Sequence, residues 1–325
     1  MAQLPMASSF LFLLLATFSL VRTAALQAAH YHQDQLQKYL LVSSAIKSEV
    51  AYLKLTNNLP NAREGMRMLV DTGLEKPQGL AVDDFRGYLY VADPGLHSLV
   101  RFRLHMDGDA LRAGKRENLI DGVEVRWVAV DGLGNVFFSD EENHQIVKIP
   151  IELLEGKTSS ENATATVLYD GSRSNKVSAP GGVAVDNYHI YWVNKFDGAE
   201  LGTLMSGSEM GLSAPRGNIS TLTANAQKCY GVCTLKGNIF FTDEVHNLYG
   251  YSRRTGKVST VTKSLLEGRG CASDGVGTVF VADKTANAVL RLPGTDPAMI
   301  SSKSVRKAVD FEGAYGVAVY TTALI

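Results

Sequence analysis

The chain has 325 residues, 45% of them hydrophobic and 20% charged, with 32 lysines and arginines against 33 aspartates and glutamates and a formal net charge of −1. That is the composition of an ordinary folded domain with enough apolar side chains for a core that needs no disulfide framework. The balanced charge lacks the basic surface that a phosphate backbone demands, which argues against nucleic acid as a partner.

Residues 9–21 (S-F-L-F-L-L-L-A-T-F-S-L-V) form an unbroken apolar run of signal-peptide length, short for a bilayer span. Small residues follow at Thr23, Ala24 and Ala25 and again at Ala28 and Ala29. We read residues 1–25 as a signal peptide, 26–38 as a short N-terminal lead and the mature protein as secreted. The alternatives are an uncleaved leader acting as an anchor, or delivery to an organelle lumen. No later stretch approaches 18 apolar residues, so no membrane span is expected in the mature chain.

Between residues 39 and 71 lie three strand-like phrases, Y-L-L-V-S-S, E-V-A-Y-L-K-L and M-R-M-L-V-D. A self-similar unit then begins. Its opening phrase reads G-L-A-V-D at Gly79, W-V-A-V-D at Trp127, G-V-A-V-D at Gly182, G-V-C-T-L at Gly231, G-C-A-S-D at Gly270 and G-V-A-V-Y at Gly316. The steps are 48, 55, 49, 39 and 46 residues, the length of a four-stranded propeller blade. A short run of small and β-branched residues bounded by turn residues suits an innermost strand buried near a crowded axis.

A second strand ends in an acid at Asp93, Asp140, Asp243 and Asp283, and in Asn194 in the third unit. A third strand alternates apolar and polar residues, as in H-S-L-V-R-F, and a fourth, such as T-V-L-Y-D, completes the sheet. Five whole blades follow from this count. The sixth takes its inner strand from the residues after Gly316 and its other three strands from residues 39–71, closing the ring without a free sheet edge. The expected fold is all-β, one six-bladed β-propeller over residues 39–325 whose last blade is closed by N- and C-terminal strands.

The phrases Y-L-Y-V-A-D-P-G-L-H-S-L-V-R-F and its relatives resemble NHL repeats, and G-G-V-A-V-D-N-Y-H-I-Y-W-V-N leans toward the YWTD repeat of lipoprotein-receptor propellers. Three positions depart from the pattern: Trp127 stands for the glycine, the fourth blade lacks the inner-strand aspartate, and Asn194 replaces a strand-ending aspartate.

Two sequons, at Asn162 and Asn218, precede fourth strands on the outer rim, where a glycan would be tolerated. Cys229 and Cys233 are about 13 Å apart on an extended strand, beyond disulfide reach. The preferred reading is three buried free thiols, with a bridge from Cys271 to one of the other two as the alternative.

His97, His144 and, nearly, His246 follow the strand-ending acids in successive blades. A group that recurs around a ring does not converge on one metal, so these Asp and His residues read as turn-fixing partners. The inner-strand residues Asp83, Asp131, Asp186 and Asp274 read the same way. Blades converge at the channel mouth, one residue before each anchor, which gives Gln78, Arg126, Gly181, Tyr230, Arg269 and Tyr315. Gln78, Arg126, Tyr230, Arg269 and Tyr315 would make a polar, mildly cationic ring able to hold a carboxylate, sulfate or sugar. The competing reading is a plug, in which these side chains fill the mouth and pair with Glu75, Glu124, Glu267 and Glu312.

The resemblance extends to enzymes. Peptidyl-amidoglycolate and streptogramin B lyases place metal-binding histidines or acids at the channel, and gluconolactonase-like hydrolases use a Glu/Asn/Asp set there. This chain offers no histidine at the aligned mouth positions, so no catalytic residue, metal or cofactor is assigned. The favoured function is a monomeric binding scaffold for a protein, peptide or glycan. The alternative is a metal-dependent lyase or lactonase at the channel mouth.

Overall fold

The computed structural model of the chain describes residues 36–56, 59–60, 65–156, 165–195, 202–211 and 218–323. The expected leader over residues 1–25 and the sequon at Asn162 lie outside them. One compact unit, Lys38–Tyr320, holds the six sheets; of a second, Met1–Gln37 with Thr321–Ile325, residues 36–37 and 321–323 are described, all as strand.

The molecule is a six-bladed β-propeller. The first blade runs Leu80–Asp83, Tyr88–Asp93, Ser98–Asp107 and Ala110–Asp121 from axis to rim, and four more four-stranded sheets repeat that order. The sixth sheet pairs the C-terminal strand Ala314–Ala323 with Leu36–Ser44, followed outward by Glu49–Thr56 and then Arg67–Val70, so the ring closes as the sequence predicts. A two-residue strand at Leu59–Pro60 also pairs with Glu49–Thr56.

The core is divided among the blade interfaces. Among the described residues six apolar clusters occur, each centred on the facing sheets of neighbouring blades; the one between blades three and four, for example, packs Tyr191, Val193 and Leu204 against Val232, Ile239 and Phe241. Each buried aromatic or aliphatic side chain there contributes about 1.5–3 kcal/mol by leaving water.

The anchor glycines recur because the inner strands nearly touch. A Cβ on Gly231 would lie 2.9 Å from the Cα of Gly270, and one on Gly79 2.6 Å from the Cα of Trp127. This approach also corrects the reading of three free thiols. Cys233 and Cys271 sit two and one residues past touching glycines, their Cα atoms are 5.6 Å apart, and they form a disulfide between the inner strands of blades four and five. Cys229 stays reduced and buried, and burial pushes its thiol pKa up.

The strand-ending acids fix loops, as their repetition implies. Asp93 accepts N–H bonds from Glu75, Lys76, Gly95 and Leu96, tying the loop before its blade to the turn after its own strand. Asp283 does the same for Leu266, Glu267 and Ala286. His144 Nδ1 accepts from the Ala179 N–H at 2.7 Å, and His246 Nδ1 lies 2.6 Å from the Leu265 carbonyl. Asn194 keeps the role of the aspartate it replaces by accepting from the Ser178 N–H at 3.0 Å.

Candidate functional site: the channel mouth

The six inner strands surround a narrow channel. Segments 80–82, 128–130, 183–185, 232–234, 271–273 and 317–319 line a cavity of about 190 Å³, mostly with valine and alanine. At the end where these strands begin, hydroxyls from second strands pin the backbone. Thr242 accepts from the Gly231 N–H and donates to the Arg269 carbonyl at 2.7 Å, and Ser43 joins the Gly316 N–H to the Gln78 carbonyl in the same way. The residues just before the anchors are therefore held rigidly at the rim.

Their side chains stack across the axis. Trp127 lies against Tyr315, with ring centroids 5.9 Å apart, and a Cβ on Gly270 would meet its indole at 2.9 Å. The indole from blade two thus reaches the inner strands of blades five and six. The Arg269 guanidinium sits 3.9 Å from the Tyr230 ring centroid and 5.6 Å from that of Tyr315. Lys195 Nζ also lies over the Tyr230 ring, 5.1 Å from its centroid. Cation–π contacts of this kind are worth about 0.5–2 kcal/mol, more when desolvated.

Each cation also has a carboxylate. Arg126 pairs with Glu124 and, through Nε at 2.7 Å, with Glu141, which also receives Lys195 Nζ at 2.5 Å. Arg269 pairs with Glu267, which further accepts from Lys284 and Thr285. Of the four glutamates expected as plug partners, Glu124 and Glu267 serve. Glu312 pairs with Lys47 instead, and Glu75 is fixed through its backbone by Asp93.

Burial shapes the titration here. It pushes Tyr230 up to about 12 and raises Tyr315, and it lowers Lys195 against the pull of Glu141. For Glu267 burial acts upward, but the Thr285 hydroxyl and the Arg269 charge outweigh it and hold the carboxyl low.

The structure places Gln78, Arg126, Tyr230, Arg269 and Tyr315 on this rim, and the stack brings Tyr230, Arg269 and Tyr315 together. Three participants come from beyond the expected register. Lys195 and Glu141 follow second strands, and Trp127 occupies an anchor position. Lys195 fills the place left by Gly181, since a Cβ there would lie 3.5 Å from its Cε. Reading the residue after each strand-ending Asp or Asn in the repeat would have found both Glu141 and Lys195.

Among the described residues, three buried polar atoms at the rim have no hydrogen-bond partner: Oε1 of Gln78, a residue 7% exposed, Nε of Arg269, 6% exposed, and Nε of Arg126, whose contact with Glu141 is an ion pair without hydrogen-bond geometry. Among the described residues, no three His, Cys, Asp or Glu side chains are placed to share a metal ion. Outside the mouth, Asn218 is exposed and precedes the outer strand Ser220–Ala226. No helix among the described residues is long and apolar enough to cross a membrane.

No protein-family profile matches the chain, and no curated protein matches it in sequence. Among solved structures it is similar to a chain in the crystal structure of a nidogen/laminin complex, at 18% identity and a TM-score of 0.66, covering 87% of this chain and 98% of that one. Two structures of virginiamycin B lyase from Staphylococcus aureus, one selenomethionine-substituted and one a catalytically inactive form with quinupristin, match at 13% identity with TM-scores of 0.47 and 0.46. Each covers 71% of this chain and 69% of the lyase chain. At such identities the likeness is one of fold.

Proposed function

We propose that the protein is an exported, NHL-like propeller that serves as a monomeric binding scaffold, with the channel mouth engaging an acidic group of a protein, peptide or glycan. The observation that carries this reading is two of these unsatisfied atoms, Gln78 Oε1 and Arg269 Nε, on a rim whose backbone is pinned. A buried polar atom left unpaired costs about 1–3 kcal/mol; a bound carboxylate accepts from the Arg269 Nε–H, and a hydroxyl or amide N–H of the same ligand donates to Gln78 Oε1. The cations are held beside glutamates, so an incoming carboxylate exchanges with Glu141 or Glu267 and needs no fresh desolvation of the arginines. A chain of the same fold occurs in a nidogen/laminin complex, an assembly of proteins, which supports a protein partner.

The test is binding of an immobilised aspartate- and glutamate-rich peptide array to the wild type and to Arg126→Ala/Arg269→Ala. The double variant is expected to stay folded with a lowered thermal transition, since it leaves Glu124, Glu141 and Glu267 short of a cation, and to lose at least tenfold in affinity. Equal binding by both forms overturns the reading and leaves the stack as a plug. Export is tested separately by fusing residues 1–35 to a fluorescent reporter; retention of the reporter in the cytosol contradicts it.

A further inference from the structure

At the opposite end of the channel, blade four departs from its neighbours. Blades one, two, three and five turn from first to second strand through an aspartate, Asp83, Asp131, Asp186 or Asp274, that accepts N–H bonds from the turn. Blade four has Leu235 in that place and turns through two residues, Lys236 and Gly237, with φ of +51° and +78°. A two-residue turn with both φ positive needs no side-chain cap. It is the shortest of the five turns and lacks their carboxylate.

Two adjoining cavities open beside it. The larger, of about 440 Å³, is walled by Lys236, Gly237, Asn238, Ser252, Arg253, Arg254 and Asp296, and has no apolar side chain. Three of those seven residues are cations. Arg254 shares one ion pair with Asp296 at 2.7 Å while its side chain stays 78% exposed. Arg253 turns toward Asp186 of blade three, and Lys236 is exposed with no ion-pair or hydrogen-bond partner among the described residues. Ser252, 3% exposed, has a hydroxyl without a partner. The smaller cavity, of about 200 Å³, shares Lys236, Gly237, Asn238 and Arg253 and adds Asp186, Tyr191, Thr234 and Ser273 together with the apolar Leu235 and Ile239 and with Gly275. Its wall therefore presents a carboxylate that also holds Arg253, a phenol bonded to that carboxylate at 2.9 Å, and two small hydroxyls that donate to the Val185 and Thr234 carbonyls and keep their lone pairs as acceptors.

We infer that this pair of cavities is an anionic-saccharide site, distinct from the channel mouth and independent of the reading given for it. The tetrahedral oxyanion of a sulfated or phosphorylated sugar occupies the basic cavity, bonded by Arg254 and Lys236. The sugar ring lies in the smaller one, where Asp186, Asn238 and Tyr191 meet hydroxyls and ring edge. Guanidinium groups favour such oxyanions because two parallel N–H donors match two oxygens.

The experiment is calorimetric titration of the full chain with N-acetylglucosamine 6-sulfate, N-acetylglucosamine 6-phosphate and unmodified N-acetylglucosamine. Binding of either anionic sugar at least tenfold tighter than the neutral one is expected, and the tighter of the two identifies the source of the anion. Lys236→Ala/Arg254→Ala should abolish that preference with an unchanged thermal transition, whereas Arg126→Ala/Arg269→Ala at the mouth should leave it intact. Absence of binding by both anionic sugars at millimolar concentration, equal binding of the neutral sugar, or indifference to Lys236→Ala/Arg254→Ala overturns the inference.

Discussion

The two ends of the channel use charge in opposite ways. At the mouth, Arg126, Lys195 and Arg269 are half-buried or buried and matched to Glu124, Glu141 and Glu267, and Lys195 and Arg269 also lie over aromatic rings. At the far end, Lys236, Arg253 and Arg254 are exposed and outnumber the two carboxylates beside them. The mouth arises from a register that every blade repeats, so convergence crowds its side chains into one layer. The far groove arises from one blade that broke the repeat. Repetition builds the axis, and a local departure opens a cavity.

The comparison presumes a closed ring, and breaking the closure has the largest expected effect. Deleting residues 316–325 removes most of the inner strand of the sixth blade. Soluble yield and size-exclusion profile should collapse, and a well-folded truncated protein contradicts the shared sheet. Next comes the mouth layer itself. Trp127→Ala leaves a void between blades two, five and six and should cost about 3–5 kcal/mol in urea denaturation. A loss below 1 kcal/mol means the indole does not hold the axis.

A smaller effect belongs to the far end. Glu209, 8% exposed, has one oxygen without a partner, and burial followed by the charges of Asp131 and Asp186 pushes it up to about 7. A folded-state pKa above the unfolded value of an acid means the folded protein holds the proton more tightly. The contribution of Glu209 to stability is then greatest at acid pH, falls as pH rises from about 4.5 to about 7 and is flat above. Glu209→Gln should remove that fall and raise stability at pH 8 by about 1–3 kcal/mol. Thermal melts from pH 5 to 8 check this, and parallel profiles for both proteins contradict it.

Fold and closure were legible because Gly79, Gly182, Gly231, Gly270 and Gly316 mark a backbone approach that only glycine permits, and that constraint is written directly in sequence. The acids Asp93 and Asp283 were legible for the same reason, since a loop anchor recurs with its loop. Lys195, Glu141 and the span of Trp127 were not. Their positions depend on how far a long side chain reaches over a neighbour, as Lys195 does over Gly181, and no spacing encodes reach. The Cys233–Cys271 bridge was missed because it depends on the separation of two strands 38 residues apart in sequence. The missing aspartate at Leu235 was visible as a departure, but its consequence needed the positions of Arg253 and Arg254.

The chain has two tryptophans, and Trp192 is buried in blade three against Tyr169. In Trp192→Phe, fluorescence reports Trp127 alone. Titrating this variant with a soluble acidic peptide is predicted to shift the emission saturably, and the shift should vanish when Arg126→Ala/Arg269→Ala is added. An emission spectrum that stays constant while the same peptide binds, seen by calorimetry, places the ligand elsewhere and contradicts a functional mouth.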